Sequence, residues 1–199
     1  MTSIHTVCLF CGSAVGASPQ YREAGLELAS VLLKRKISLV YGGANIGLMK
    51  VVADAMLEAG GTVIGVMPKT LAEKEVAHER LTAMHIVPGM QERKALMADL
   101  SDGFITMPGG YGTFDEIFEM LSWNQLNLIQ KPVGILNINE YFDPLLAQLD
   151  LAVDERFLRP EHRDLLVVDT DSGMLIDKME SFLPVEAQKW IDRLKAGKI

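Results

Sequence analysis

Short, β-branched apolar runs recur along this chain, and three of them end in a glycine-bearing turn that opens directly onto a stretch of helical periodicity. Residues 4–10 run into Cys11-Gly12-Ser13, residues 37–41 into the turn between Gly42 and Gly47, and residues 104–107 into Pro108-Gly109-Gly110-Tyr111-Gly112-Thr113. Strands of nearly continuous hydrophobicity are what a parallel sheet covered on both faces requires. Strands that alternate with helices imply right-handed βαβ units. The chain is therefore predicted to be an α/β protein, a doubly wound parallel sheet with helices on both faces. Further strands are expected at 62–67, 133–136 and 165–168, with a short one at 85–87. Helices are expected at 19–36, from the second glycine turn to about 59, at 89–100, from the third turn to about 129, and at 141–153, 171–182 and 186–195. The segment 68–78 reads as irregular and charged.

No linker or low-complexity tract interrupts the 199 residues, so one domain spanning 1–199 is expected. No apolar run approaches the ~20 residues of a membrane span, and the first residues lack the basic and apolar regions of a secretory signal. A cytoplasmic protein is the expectation. A net charge of −7 argues against binding a nucleic-acid backbone, but one local positive site can still hold a small anion. Cys8 and Cys11 form a lone C-x-x-C, and the four histidines are scattered singly, so no metal site is expected. Both cysteines read as reduced and structural. The 11 methionines fall mostly at helical spacing and read as core filler.

In an open α/β sheet, ligands bind beyond the carboxyl ends of the strands at the point where strand order reverses. If the first strand and the 104–107 strand flank that point, Gly12-Ser13 and the third turn face one crevice. A glycine turn at a helix N-terminus presents backbone N–H groups to an anion. Dinucleotide and triphosphate chemistry lose ground, because neither G-x-G-x-x-G spacing nor a following Gly-Lys-Ser/Thr is present. Thr113-Phe114-Asp115-Glu116 fits a T-x-x-E capping box, and spacing alone leans toward Glu116 as a cap. The helical pattern of Phe114, Ile117, Phe118 and Leu121 leaves Glu116 off the apolar face, where the helix dipole favours its ionised form. Such a carboxylate suits a base or an electrostatic partner and makes a poor general acid. Arg93-Lys94, on a helix with apolar neighbours, is either solvated charge or a fork for a phosphate or carboxylate. Glu75 by itself reads as a solvated loop charge.

These residues resemble a known family. The run from Pro108 to Glu116 matches the P-G-G-x-G-T-x-x-E motif of the LOG ("Lonely Guy") proteins, and Met90-Gln91-Glu92-Arg93-Lys94 matches their M-x-x-R-K element upstream. Cys11-Gly12-Ser13, the Tyr41-Gly42-Gly43 turn with Gly47-Leu48-Met49, and Val66-Met67-Pro68 are also similar, so the resemblance covers about residues 7–183. It implies a Rossmann-like homodimer that hydrolyses the N-glycosidic bond of cytokinin riboside 5'-monophosphates, releasing the free base and ribose 5-phosphate. Bacterial members resembling this chain also hydrolyse AMP. By position, Arg93 and Glu116 match the family's catalytic pair. Glu75, Lys94, the turn of Gly110, Tyr111, Gly112 and Thr113, and Ser122 match substrate-contacting positions, and Gly109, with Gly12, Ser13 and Gly43 of the neighbouring turns, are expected to bind substrate as well. Ser122 stands where many plant members have threonine, and Met49-Lys50 replaces the more frequent Met-Gly.

The chemistry agrees with these residues. Breaking an N-glycosidic bond builds oxocarbenium character on the ribose, as in O-glycoside hydrolysis, and an ionised Glu116 could stabilise that charge or deprotonate the attacking water. The glycine turn and Thr113 would anchor the 5'-phosphate and so position the reacting carbon. Relatives are often labelled lysine decarboxylases, but no pyridoxal-phosphate lysine context is visible, and no cofactor is called for. A nucleotide-binding carrier on the same fold, or a phosphoribosyl transferase, is the alternative. Trp123, Leu126 and Leu128 are the candidate dimer-interface residues.

Overall fold

A computed structural model describes residues 3–73 and 77–184. The helix expected at 186–195 lies outside the described residues. Seven strands form one all-parallel sheet: β1 (Thr6–Phe10), β2 (Ser38–Tyr41), β3 (Val63–Pro68), β4 (Ala83–Val87), β5 (Gly103–Thr106), β6 (Val133–Leu136) and β7 (Leu166–Asp169). Their spatial order is β4-β3-β2-β1-β5-β6-β7. The winding reverses between β1 and β5, which pair from Val7↔Gly103 to Phe10↔Thr106. This is the doubly wound Rossmann-like arrangement predicted, and it puts the first and third glycine turns side by side at the switch point.

Among the described residues, seven helices connect the strands, α1 (Pro19–Lys34), α2 (Gly47–Glu58), α3 (Lys69–Ala72), α4 (Met90–Asp99), α5 (Tyr111–Gln125), α6 (Asp143–Asp154) and α7 (Pro160–Arg163), and α8 (Ser172–Glu180) follows β7, with a 3-10 turn at Ile138–Glu140. Alternation along each strand divides the core. Val7 and Leu9 of β1 face Leu28 and Leu32 of α1, Val52 and Met56 of α2, and Leu175 and Met179 of α8. Cys8 and Phe10 face the opposite layer, with Met97 of α4, Ile117 and Met120 of α5, and Phe142 before α6. Phe10 and Phe104 stack there across the switch point, with centroids 5.8 Å apart. Both cysteines are free and buried, and burial pushes both thiols well above their ordinary range.

Local chemistry sets several boundaries. Ser18 caps α1 through its hydroxyl, which accepts from the Gln20 N–H, and Pro19 occupies the first helical position. Asp171 caps α8 by accepting from the Met174 N–H at 2.8 Å. The strand expected at 85–87 extends to Ala83–Val87 and forms the sheet edge, with Ile86 52% exposed; an edge strand lacks the two-sided burial that marks the others. The short helices α3 and α7 fall where no helix was expected. Among the described residues, no helix is long and apolar enough to cross a membrane.

Candidate functional site

At the switch point, a cleft of about 270 Å³ opens between the β1, β2 and β5 turns and α4. Its wall includes Gly12 and Ser13 from the first turn, Gly42 and Ala44 from the second, and Gly110, Tyr111, Gly112 and Thr113 from the third; Arg93 and Glu116 face the same space. Residues far apart in the chain thus converge, with Arg93 and Glu116 carried by different helices.

The third turn is held by backbone contacts and left open toward the cleft. The Gly12 N–H donates to the Pro108 carbonyl at 3.0 Å, tying the β1 turn to the β5 turn. A Cβ on Gly109 would collide with the Thr113 hydroxyl and the Gly12 amide, so only glycine allows this approach. Gly110 and Gly112 differ: beyond the adjoining backbone, a Cβ on either would meet no atom of the described residues within 4 Å, and both border the cleft. Their missing side chains leave room for a ligand to reach the backbone. The first i→i−4 bond of α5 runs from the Phe114 N–H to the Gly110 carbonyl. The N–H groups of Tyr111, Gly112 and Thr113 therefore lie in the unpaired first turn of a helix, at its positive end.

The capping-box expectation for Glu116 is corrected by this geometry. α5 begins at Tyr111 with Gly110 at its N-cap, and no side chain caps it. Thr113 is the third residue of the helix, buried under Gly109, and is not its cap, so Glu116 has no cap to complete. The expected exposed, ionised Glu116 is corrected as well. It is 9% exposed and shares the inward face of α5 with Thr113, Ile117, Met120 and Asn124, whereas Phe118, expected on that face, is 37% exposed. Burial raises its pKa to about 7, against the opposing pull of the nearby Arg93 cation, while Asp115 adds to the rise. At neutral pH, Glu116 is poised between its two protonation states and can accept or release a proton.

Arg93 is set by its neighbours. Its Nε donates to the Val66 carbonyl at 3.1 Å, and Nη1 points at the Met90 sulfur at 3.7 Å. Nη2 lies so close to Gly42 that any side chain there would displace it. The second glycine turn thus makes room for the guanidinium. Lys94, one residue on, turns elsewhere: it bridges α4 to α5 through Asp115 (3.1 Å) and Glu119 (2.9 Å), and it is absent from the lining of the cleft. Burial works against its charge, but these two carboxylates outweigh that and hold its pKa above the ordinary value.

Ser122 lies two turns along α5 from Glu116, donates to the Phe118 carbonyl at 2.7 Å, and borders a separate groove with Leu149 and His162. Gly43, at φ +79°, accepts the His78 N–H through its carbonyl beside the cleft wall. Glu75 lies outside the described residues. Trp123 packs half-buried against the core, while Leu126 and Leu128 are exposed. Leu9 and Leu71 also line the cleft and were not singled out in the sequence, where apolar residues on strands and helices read only as core; Cys11 and Met49, read there as a structural cysteine and as part of a turn motif, line it too. Tyr141 was missed too; its hydroxyl reaches the Gly109 carbonyl from 32 residues away, and no local pattern signals that.

Comparison with known proteins bears on this arrangement. The profile of a family described as "Possible lysine decarboxylase" matches residues 49–179. Among the described residues, none that lines the cleft is a lysine. A probable cytokinin riboside 5'-monophosphate phosphoribohydrolase of Oryza sativa subsp. japonica is 49% identical over 179 residues, covering 90% of this chain and 79% of that protein. A cytokinin riboside 5'-monophosphate phosphoribohydrolase of Arabidopsis thaliana is 45% identical, covering 90% and 78%. Among solved structures, the molybdenum cofactor binding protein of Rippkaea orientalis superposes with a TM-score of 0.66 at 21% identity, over 88% of this chain and 95% of that one. The molybdenum cofactor carrier protein of Chlamydomonas reinhardtii gives 0.64 at 20%, over 87% and 94%. At those identities the likeness is one of fold. With a family profile across most of its length and relatives approaching half identity, the chain belongs to the LOG family, the group to which the lysine-decarboxylase description is also attached.

Proposed function

We propose that this protein hydrolyses the N-glycosidic bond of adenosine 5'-monophosphates, including N6-modified cytokinin nucleotides, releasing the base and ribose 5-phosphate. The observation that carries this reading is one cleft in which a buried, proton-poised Glu116 and a backbone-anchored Arg93 face a helix N-terminus whose two open glycines leave space for an anion. The names of the relatives, phosphoribohydrolases acting on cytokinin riboside 5'-monophosphates, agree with it.

The steps follow from the residues. The N–H groups of Tyr111, Gly112 and Thr113 hold the 5'-phosphate at the positive end of α5. That remote anchor fixes the ribose so that its anomeric carbon lies beside Glu116. As the C–N bond breaks, its electron pair leaves with the purine and positive charge grows on the ribose. The Glu116 carboxylate stabilises that charge and takes a proton from the water that attacks the anomeric carbon. The proton can then pass to the departing base. Arg93 lowers the pKa of Glu116, which keeps a working fraction ionised, and presents its guanidinium to the ribose phosphate. Glu75, Lys94 and Ser122 are assigned to substrate contact on the family pattern alone. A second copy of the chain, seated on the exposed Leu126 and Leu128, would form the homodimer.

Base release measured by chromatography tests the reading, with AMP and isopentenyladenosine monophosphate as substrates and their unphosphorylated nucleosides as controls. Free base (adenine from AMP, isopentenyladenine from the modified nucleotide) and ribose 5-phosphate in equal amounts, with far less base from the nucleosides, is the expected result. Tight nucleotide binding without base release would establish a carrier instead.

A further inference from the structure

We infer that Tyr141 is a positioning residue for the phosphate-binding turn, acting from outside the cleft through the Gly109 carbonyl; this rests on the reading that the turn holds the 5'-phosphate. The Tyr141 hydroxyl donates to the Gly109 carbonyl at 2.6 Å, a short distance even for an O–H donor. A peptide unit is planar, with its C=O and N–H pointing in opposite directions. Fixing the Gly109 carbonyl toward Tyr141 therefore aims the Gly110 N–H away from Tyr141. Tyr141 lines a second, apolar cavity of about 360 Å³ behind the turn, and Gly110 borders both that cavity and the cleft. The hydrogen bond thus sets the orientation of the peptide at the start of the anion site.

Two further observations show that the surrounding structure is committed to this contact. The Tyr141 ring, 38% exposed, packs edge-on against Phe142 (centroids 5.0 Å apart) and Tyr21 (6.0 Å), contacts that favour its place beside the turn. The residues just before it, Asn139 and Glu140, both sit in the left-handed region at φ 55° and 56°. Non-glycine residues occupy that region at an energetic cost, and two in succession are rare. Such strain persists where the neighbouring structure over-determines it, and it clusters at functional sites. Here it turns the chain sharply after β6 and delivers Tyr141 to the back of the glycine turn. Gly109, packed against Thr113 and Gly12 on its other side, cannot relax away from it.

Tyr141→Phe removes the hydroxyl and keeps the ring. The expected result is a rise in KM for AMP and in the inhibition constant of inorganic phosphate, both by about threefold to tenfold, the range spanned by one hydrogen bond of ordinary net strength. kcat should change less than KM, inhibition by free adenine should be unchanged, and the Tm should stay close to that of the wild type. A merely structural tyrosine would lower the Tm and weaken adenine and phosphate alike, which overturns the proposal; so does an unchanged phosphate constant. Calorimetric titration of both proteins with inorganic phosphate separates this from the catalytic reading. Wild-type protein that binds phosphate but releases no base refutes the hydrolase while leaving the Tyr141 comparison intact, and wild-type protein that does not bind phosphate refutes the positioning role.

Discussion

Glu116→Gln should make the protein more stable and nearly inactive, and the stability gain should depend on pH. In the folded chain, burial lifts the carboxyl pKa from 4.5 to about 7. The native state therefore holds this proton more tightly than the unfolded chain does. Below pH 4.5 both states are protonated and the residue carries no ionisation penalty. Between 4.5 and about 7 the unfolded chain releases its proton first, so stability falls as pH rises. Above about 7 the native carboxylate is ionised in a buried place and the full penalty applies, on the order of 3 kcal/mol for a shift of this size. Glutamine is neutral throughout and escapes it. At pH 8 the variant should thus melt about 6–12 °C above the wild type, and at pH 5, half a unit above the unfolded pKa, the gap should shrink to about a quarter of that. Loss of the base should meanwhile lower kcat by about 10²- to 10⁴-fold. Differential scanning calorimetry at the two pH values and chromatographic base release from AMP provide both readings. A melting gap of equal size at pH 5 and pH 8 would refute the raised pKa. Base release within about threefold of wild type would refute the catalytic role, since a loss that small falls below the span of general base catalysis.

Other outcomes follow from the same geometry. Because Glu116 acts ionised, kcat/KM for AMP should rise through about pH 7 and then level off, as read from initial rates between pH 5.5 and 8.5; a falling profile would make it an acid instead. Gly112→Ala places a methyl where, beyond the adjoining helix backbone, no atom of the described residues lies within 4 Å, so the Tm should hold or rise slightly, while kcat/KM drops on the order of 100-fold because the phosphate is displaced by about 1 Å. Arg93→Lys keeps the charge but loses the planar fork, and kcat/KM should fall roughly 10- to 100-fold, with inorganic phosphate binding more weakly by calorimetry. Glu140→Gly relieves a left-handed residue at φ 56°, and after the entropic cost of glycine it should raise the Tm by about 1–4 °C in scanning calorimetry.

Much of the scaffold was legible because its signals are local. Val133–Leu136 agrees with expectation at both ends, since an apolar run set off by Lys131-Pro132 has one natural reading as a buried strand. β4 was seen only in part, because an edge strand with exposed His85 and Ile86 lacks the continuous apolar signature of its neighbours. α5 stops at Gln125, short of the expected 129, where Asn127 turns left-handed at φ 58°.

The glycine turn, the Arg93-Lys94 pair and the acid at Glu116 were all readable in the sequence, and family motifs joined them into a site. Whether Glu116 capped a helix, and whether it was charged, was not. Spacing reports on neighbours within a turn or two, and T-x-x-E looks the same whether a helix is capped at Thr113 or three residues earlier. Tertiary packing decided it: Gly110 became the cap, Thr113 turned under Gly109, and Glu116 rotated into a wall shared with Arg93. A pKa depends on the water excluded and the charges brought close, and here those come from β1, the β2 turn and α4. Tyr141 gives the same lesson, because a hydroxyl that reaches across 32 residues to one carbonyl exists only once the sheet has been wound.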